Sequence, residues 1–179
     1  MNANTVIEFW FNELTPAQWW QVDTNLDADI LARFSSLHLA AQQGELSHWR
    51  QTPEGSLAEI IVLDQFSRNM YRGTPQAFAS DGLALALAQF AIEKGYDTQL
   101  EPLQRSFLYM PFMHSESAKI HVQALSLFTS LGNENNLDFE IKHKAIIDRF
   151  GRYPHRNQIL GRVSTAEEEA FLTQPNSSF

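Results

Sequence analysis

Apolar residues recur every three or four positions along most of this chain, the spacing that places side chains on one face of an α-helix. The pattern predicts helices over residues 5–14, 25–43, 53–70, 81–94, 101–110, 115–131, 136–150 and 164–172. The helix over 53–70 is apolar almost all round its first three turns, which is typical of a central, buried helix. No run of alternating β-branched residues bounded by turn signals is present. The sequence therefore predicts an all-α fold.

Residues that favour helix ends divide these segments. Pro111 is expected to stop the helix over 101–110, and Gly151 to end the helix over 136–150 in a left-handed conformation. Ser115 is expected to cap the next helix, with Glu116 in its first turn. The residues over 164–167 read as a capping box. Short loops between successive helices favour antiparallel helical hairpins, and no internal repeat of about 30 to 45 residues is readable.

Length and composition limit the possibilities further. With 179 residues, 44% of them hydrophobic, the chain is expected to form one helical domain over 1–173, followed by a loose tail over 174–179. It has no cysteine, which excludes disulfides, thiolate metal sites and cysteine nucleophiles and suits a reducing compartment. The longest apolar run, over 83–92, is too short to span a membrane, and the start does not resemble a secretory signal. A cytoplasmic protein is predicted.

The distribution of charge is uneven. The chain has 13 Lys and Arg against 21 Asp and Glu, a formal charge of −8. Residues 142–162 nevertheless contain six basic residues and one acidic residue, so this stretch carries +5 and the remainder −13. Such a patch requires something anionic beside it: a ligand, a partner, or the protein's own carboxylates. The acidic balance of the whole chain argues against general binding to nucleic acid or to anionic membranes.

The first stretch with candidate chemistry is VLDQFSRNMYR, over residues 62–72. Asp64 and Arg68 are four residues apart, so they share a helix face and can pair, and Arg72 follows on the same face if the helix continues. Two interpretations remain open. The pair is an internal salt bridge that anchors the helix end, or Asp64 orients an arginine that binds a carboxylate or phosphate through two hydrogen bonds.

Two further stretches add histidines and arginines. In FLYMPFMHSE, over 107–116, His114 is either a structural hydrogen-bonding group or an acid–base residue. In the stretch over 149–162, Gly151 permits a sharp turn and Pro154 stiffens the loop that follows. That short, rigid loop fixes its polar side chains in place, and such preorganised donors can bind either an oxyanion or the protein's own acids. These side chains are Arg152, His155, Arg156 and Asn157.

Two weaker signals are also present. The tetrapeptides over 45–48 and 140–143 both read Glu-x-x-His, the unit of di-iron carboxylate bundles. A connector glycine before the first and lysines around the second argue against a metal, so neither metal nor cofactor is predicted. The four tryptophans are expected to serve core and inter-helix packing, with an aromatic peptide-binding groove as the alternative. They are Trp10, Trp19, Trp20 and Trp49.

Taken together, these stretches resemble a bacterial family known as domain of unknown function 924. The resemblance rests on VLDQFSRNMYR, on FLYMPFMHSE, and on RFGRYPHRNQILGRVSTAEE over 149–168, and it extends over essentially the whole chain. It implies an all-helical fold of the tetratricopeptide-like superfamily, a right-handed superhelix without readable repeats. It implies no activity and no catalytic residues.

Three functional hypotheses follow. The first is a polar pocket that binds a small anionic ligand or an acidic peptide through Arg68, Asn69, Arg72, Tyr109, Arg149, Arg152, Arg156 and Asn157. The second is a hydrolase or lyase acting on a phosphorylated or carboxylated metabolite. It would use His114 or His155 as general acid–base, oriented by Asp64 or Glu116. The third is a structural or protein-interaction domain in which the arginines form an internal clamp and the function lies on the aromatic or apolar surface. The first two require the three stretches to meet in space.

Overall fold

The computed structural model describes residues 1–175, 177 and 178, and every regular element within them is helical. The α-helices are α1 (Ala3–Glu8), α2 (Thr24–Gln42), α3 (Pro53–Ile61), α4 (Ser67–Met70), α5 (Asp81–Glu93), α6 (Pro102–Met113), α7 (Ala118–Leu131), α8 (Glu134–Phe150) and α9 (Ala166–Leu172). The all-α prediction is confirmed. None of these helices is both long enough and apolar enough to cross a membrane.

The helix predicted over 53–70 is present, with a change of pitch in its middle. Helix α3 continues into a π-helical turn over Val62–Phe66, and α4 completes the segment. A second π-turn, over Phe9–Glu13, extends α1, and the amide of Leu14 donates to the Phe9 carbonyl oxygen at 3.2 Å. Wide turns of this kind are uncommon and frequently accompany special side-chain positions. The turn after α3 contains Asp64.

Three predicted helix ends are wrong. Helix α6 runs through Pro111 to Met113, although proline removes one helical hydrogen bond. The apolar side chains around Pro111 are buried, and their burial outweighs that loss. Ser115 does not cap α7, which begins at Ala118 after Ser117. The capping box lies one residue later than predicted, between Thr165 and Glu168.

The end of α8 agrees with the sequence. Gly151 follows Phe150 with φ 69°, in the left-handed region that glycine adopts without strain, and its amide donates to the Ile147 carbonyl oxygen. The chain therefore turns sharply at the point where the basic stretch leaves the helix. This turn determines where the following arginines and histidines lie.

The described residues form two compact units. Unit 1 comprises residues 1–72 and 76–111, and unit 2 comprises residues 73–75 and the chain from 112 onward. The single domain over 1–173 stays a prediction. The predicted tail over 174–179 includes Asn176 and Phe179, which lie outside the described residues.

Helix α3 and its π-turn form the centre of unit 1. Their apolar side chains are fully buried, and Phe66 packs at 4.8 Å from Phe34 and 5.8 Å from Phe9 between ring centroids. Helix α3 also buries the carboxylate of Glu59, which has no exposed area. Arg50 binds both Glu59 oxygens, through Nε and Nη2, each at 2.7 Å. A buried charge is thus tolerated because an arginine covers it.

Candidate functional site

The first polar stretch lies in unit 1 and is paired internally. Arg68 Nη1 lies 3.0 Å from Asp64 Oδ1, so the pair predicted from the i, i+4 spacing is confirmed. The same guanidinium binds both oxygens of Asp81, at 3.0 and 3.1 Å. Asp64 is completely buried. Arg68 therefore joins the π-turn after α3 to the start of α5.

Asn69 and Arg72 share one carboxylate, that of Asp27 in α2. The Asn69 amide donates to Oδ1 at 2.8 Å, while Arg72 donates through Nε and Nη2 at 2.7 and 2.8 Å. Burial alone would raise the pKa of Asp27, but hydrogen bonds from Arg72 and Asn69 outweigh it and hold the pKa below its usual value. Two predicted ligand-binding residues thus bind one of the protein's own acids, and Arg72 neutralises its charge.

Tyr109 also has an internal partner. Its hydroxyl donates to Asp97 Oδ2 at 2.7 Å and accepts from Arg105 Nε at 2.9 Å. Burial, followed by the adjacent Asp97, raises the pKa of Tyr109 to about 12. The phenol stays protonated at any physiological pH, and its proton is held by Asp97.

The arginines of the basic stretch lie in unit 2, where two of them bind the first turn of α9. Arg152 binds both oxygens of Glu168, through Nε and Nη2 at 2.7 and 2.8 Å, and also donates to the Val163 carbonyl oxygen. The hydrogen bond from Arg152 is the main cause that lowers the pKa of Glu168 to about 2. Arg149 pairs with Glu167 on the exposed side of the same helix. The predicted donors therefore hold α9 in place.

Glu116, a candidate catalytic residue, accepts from the same stretch. Arg162 binds its two oxygens at 2.7 and 2.8 Å, and the backbone amide of Tyr153 donates to Oε1 at 2.6 Å. Burial would raise the pKa of Glu116, but Arg162 and the Tyr153 amide outweigh it, so the pKa lies below its usual value. The sequence analysis missed Arg162 as a site residue, although it closes the basic stretch.

The second and third polar stretches meet in unit 2. Arg156 is buried, donates through Nη2 to the His114 carbonyl oxygen at 3.0 Å, and lies over the Tyr153 ring at 4.7 Å from its centroid. Asn157 is also buried; its Oδ1 accepts from Arg162 Nε and its Nδ2 donates to Ser164 Oγ. The arginines and amide predicted to face a ligand face backbone carbonyls and side chains of their own unit.

His155 lies against the same tyrosine. Its ring centroid is 5.5 Å from that of Tyr153, with the planes tilted by 37°. The His143 ring contacts Tyr153 edge-on at 5.7 Å. Tyr153 is thus the centre of a cluster in which a phenol ring is bordered by imidazoles, and the sequence analysis did not select it.

A buried hydrogen-bonded chain passes through this cluster. His121 Nδ1 lies 2.8 Å from Glu140 Oε1, and Nε2 lies 2.8 Å from the Ser115 carbonyl oxygen. The Tyr153 hydroxyl donates to the Met113 carbonyl oxygen at 2.5 Å and lies 3.1 Å from His121 Nε2. His121 and Glu140 have no exposed area. One signal was present in the sequence: His121 occupies the buried face of α7 with Ala124 and Phe128.

The partners of His121 determine where its protons lie. A carbonyl oxygen only accepts, so Nε2 carries a proton toward Ser115. The second proton then sits between Nδ1 and Glu140 Oε1. Glu140 Oε2 is buried without a hydrogen-bond partner among the described residues, and burial raises the pKa of this carboxyl. Both observations show that burial disfavours the charged form of Glu140.

His143, in one of the two Glu-x-x-His units, is not oriented with Glu140 toward a common ion. Its Nδ1 lies 2.7 Å from the Phe139 carbonyl oxygen, while Glu140 faces His121. Within the described residues, no group of three or more His, Asp or Glu side chains is arranged to hold a metal. Burial, reinforced by the neighbouring histidines, lowers the pKa of His143 to about 3.

Unit 1 also presents a partly exposed aromatic surface, in which Phe11, Trp19 and Trp20 pack on Phe107 of α6. We include in it two exposed apolar residues that are neighbours in the chain, Val22 two residues after Trp20 and Leu103 four residues before Phe107. Trp20 is 62% exposed and stacks on the buried Phe107 ring, with centroids 5.9 Å apart and planes at 12°. Trp19 packs edge-on against Trp20, and its Nε1 donates to the Trp10 carbonyl oxygen. Val22 is 71% exposed. Trp20 therefore packs against another helix, in agreement with the predicted inter-helix packing, but it is not part of the core.

Comparison with known proteins gives the family and supplies no activity. The family described as "Bacterial protein of unknown function (DUF924)" matches residues 6–176. The solved structure of a protein of unknown function from Agrobacterium tumefaciens is 38% identical to this chain, with a TM-score of 0.91. The similarity covers 95% of this chain and 96% of that one. No curated protein matches. The tetratricopeptide-like superhelix stays a prediction.

Proposed function

This chain belongs to that family of bacterial proteins of unknown function, and we propose that it is a protein-interaction domain whose arginines form an internal clamp. One observation carries the proposal: most arginines of the polar stretches bind carboxylates of the same unit. Arg68, Arg72, Arg152 and Arg162 each engage two oxygens of one carboxylate. Such paired contacts are the strongest that a guanidinium makes.

This pairing argues against the anion pocket. A ligand carboxylate or phosphate at Arg152 would have to displace Glu168, which is almost completely buried and already fully matched to the guanidinium. The displaced carboxylate would then remain buried without its partner, which is strongly unfavourable. The same reasoning applies to the enzyme alternative, because Asp64 and Glu116 bind arginines instead of orienting a histidine.

We assign the interaction with a partner to the aromatic surface, because the arginines of the clamp are already bound to carboxylates. Tryptophan is enriched at interaction sites because it contributes a large contact area with few rotatable bonds. Trp20 is supported from below by Phe107 and from the side by Trp19, so its exposed face is held before any partner arrives. Preorganisation of this kind reduces the entropy lost on binding.

The clamp makes a testable prediction about anions. Replacing Arg152 with alanine should lower the melting temperature by several degrees, because Glu168 loses its main partner. Phosphate, citrate and a short acidic peptide should leave the melting temperature of the wild-type protein unchanged. Arg149→Ala is the matched control, since its pair with Glu167 is exposed and should contribute little. An anion that stabilises the wild type but not Arg152→Ala would instead establish the pocket.

The interaction site is tested by crosslinking in living cells of the native host. A photo-reactive phenylalanine analogue at position 22 should give a discrete protein adduct, since Val22 is 71% exposed beside Trp20. The adduct should disappear when Trp20→Ser is added. The same analogue at position 39 is the control, because Leu39 is 53% exposed elsewhere in unit 1, on α2. Identical adducts from both positions would contradict the proposal.

A further inference from the structure

The unit that carries the aromatic surface is strongly acidic. Unit 1 contains six Lys and Arg against thirteen Asp and Glu, a formal charge of −7. Unit 2 contains seven basic and eight acidic residues, which gives −1. Most of the net charge of the protein is therefore on the unit with the exposed tryptophan. A charge of this size attracts cations over a distance of about one Debye length, roughly 8 Å at physiological salt.

The acidic residues lie on the same segments as the aromatic surface. The first 32 residues contain five acids and include Phe11, Trp19, Trp20 and Val22. Three of these acids are paired with arginines, Glu13 and Asp29 with Arg33 and Asp27 with Arg72. Glu8 is exposed and lies three residues before Phe11. Glu101 is exposed immediately before α6, two residues from Leu103. A partner that approaches the aromatic surface thus meets carboxylates on the segments that form it.

The exposed indole selects chemistry of two kinds. Its face accepts an apolar side chain by van der Waals contact, and tryptophan is the best aromatic partner for a Lys or Arg cation. Because Trp20 stacks on Phe107 at 12°, its orientation is fixed, and a cation over the ring would add to the attraction of the surrounding carboxylates. Apolar and cationic groups are therefore favoured together, while acidic groups are repelled.

We propose that the partner of the aromatic surface is a basic protein segment, with an apolar anchor residue flanked by Lys or Arg. This proposal rests on the proposed function, because it assigns a partner class to the same surface. The apolar anchor covers Trp20, Val22 and Leu103, and the flanking cations lie over the indole and beside Glu8 and Glu101. Binding weakens as salt is added, since the charged contacts are exposed and screened.

The test is selection of peptides from a random display library on the wild-type protein. Binders are sorted by their loss of affinity for Trp20→Ser, with Trp20→Leu as a second variant and Leu39→Ser as the control on α2. Circular dichroism and melting confirm that each variant is folded. We expect Trp20-dependent peptides to be enriched in Lys and Arg beside an apolar residue. The double variant Glu8→Lys/Glu101→Lys should bind them about tenfold more weakly or worse.

The outcomes separate the two proposals. Trp20-dependent peptides that carry no excess of Lys or Arg, or that bind the double variant equally well, would overturn the basic partner and leave the interaction surface standing. Peptides whose binding ignores Trp20 but is lost in Leu39→Ser would overturn both. So would a selection that yields no specific peptide at all. Basic peptides that require Trp20 and weaken with charge reversal are the expected result.

Discussion

Arg50→Ala is expected to lower the free energy of unfolding by about 3–5 kcal/mol, a large part of the stability of a protein of this size. The variant removes both hydrogen bonds to Glu59, whose carboxylate has no exposed area in the centre of unit 1. The folded variant would then bury the Glu59 carboxylate without its cationic partner, which is strongly unfavourable. Urea unfolding followed by circular dichroism measures the loss.

Two further variants isolate the cause. Lys142→Ala removes an exposed pair with Asp138 and should change stability little, because exposed pairs contribute about 0–1 kcal/mol. The double variant Arg50→Met/Glu59→Leu removes both charges and fills much of the same volume, so it should be considerably more stable than Arg50→Ala. If Arg50→Ala lost no more stability than Lys142→Ala, the buried pair would not be holding unit 1 together.

Acidification below about pH 6.5 is expected to destabilise the protein through His143. The unfolded chain takes up a proton near the usual histidine pKa of 6.5, whereas the folded protein resists it until about pH 3. Because the unfolded state binds more protons between these values, the stability that depends on uncharged His143 is fully present above pH 6.5 and falls as the pH falls. One such group gives a slope of up to about 1.4 kcal/mol per pH unit.

The free energies of unfolding of the wild type and the variants are compared between pH 6.5 and 5. This range lies above that in which the lowered pKa values of Glu168 and Glu116 affect stability. His143→Asn keeps a donor near the Phe139 carbonyl oxygen but cannot titrate, so its stability should fall less steeply with acid. His48→Asn changes an exposed histidine and should follow the wild type. Parallel slopes for His143→Asn and wild type would contradict the assignment, whatever the absolute stability of the variant.

Glu140 has the opposite effect on the pH dependence of stability. Burial raises the pKa of its carboxyl, so the folded state holds a proton that the unfolded state releases above about pH 4.5. Its contribution is complete below that value and is lost as the pH rises through the raised folded pKa. Unit 2 therefore contains two buried groups with opposing pH dependence, Glu140 and His143, and His143→Asn isolates one of them.

Much of the fold follows from local rules that the sequence displays. Apolar periodicity predicted the helices, Gly151 the end of α8, and the four-residue spacing the pair between Asp64 and Arg68. The failures occur where packing over a longer range decides the outcome. Proline alone would end a helix at Pro111, but burial of the residues around it extends α6 to Met113.

The candidate site, like the fold, could be predicted from the sequence only where local rules decide it. Charge counting located the basic stretch and included the protein's own carboxylates among its possible partners. It could not match each arginine to its acid, because Glu168 pairs with Arg152 only when α9 folds back against the loop. Glu116 likewise bonds a backbone amide and Arg162, 37 and 46 residues away. Local spacing contains no information about such distant partners.

The buried chain around His121 also has a consequence for protein synthesis. Its tyrosine, Tyr153, enters the chain 32 residues after His121, and the arginine that fastens Glu116 follows later still. A nascent chain that has reached only Phe150 contains α7 and α8 but lacks Tyr153, so the hydrogen bonds of its hydroxyl cannot form. Unit 2 thus completes its folding only after Tyr153 and Arg162 have been synthesised. Chains truncated after Phe150 should therefore be degraded by pulse proteolysis far faster than the 179-residue chain.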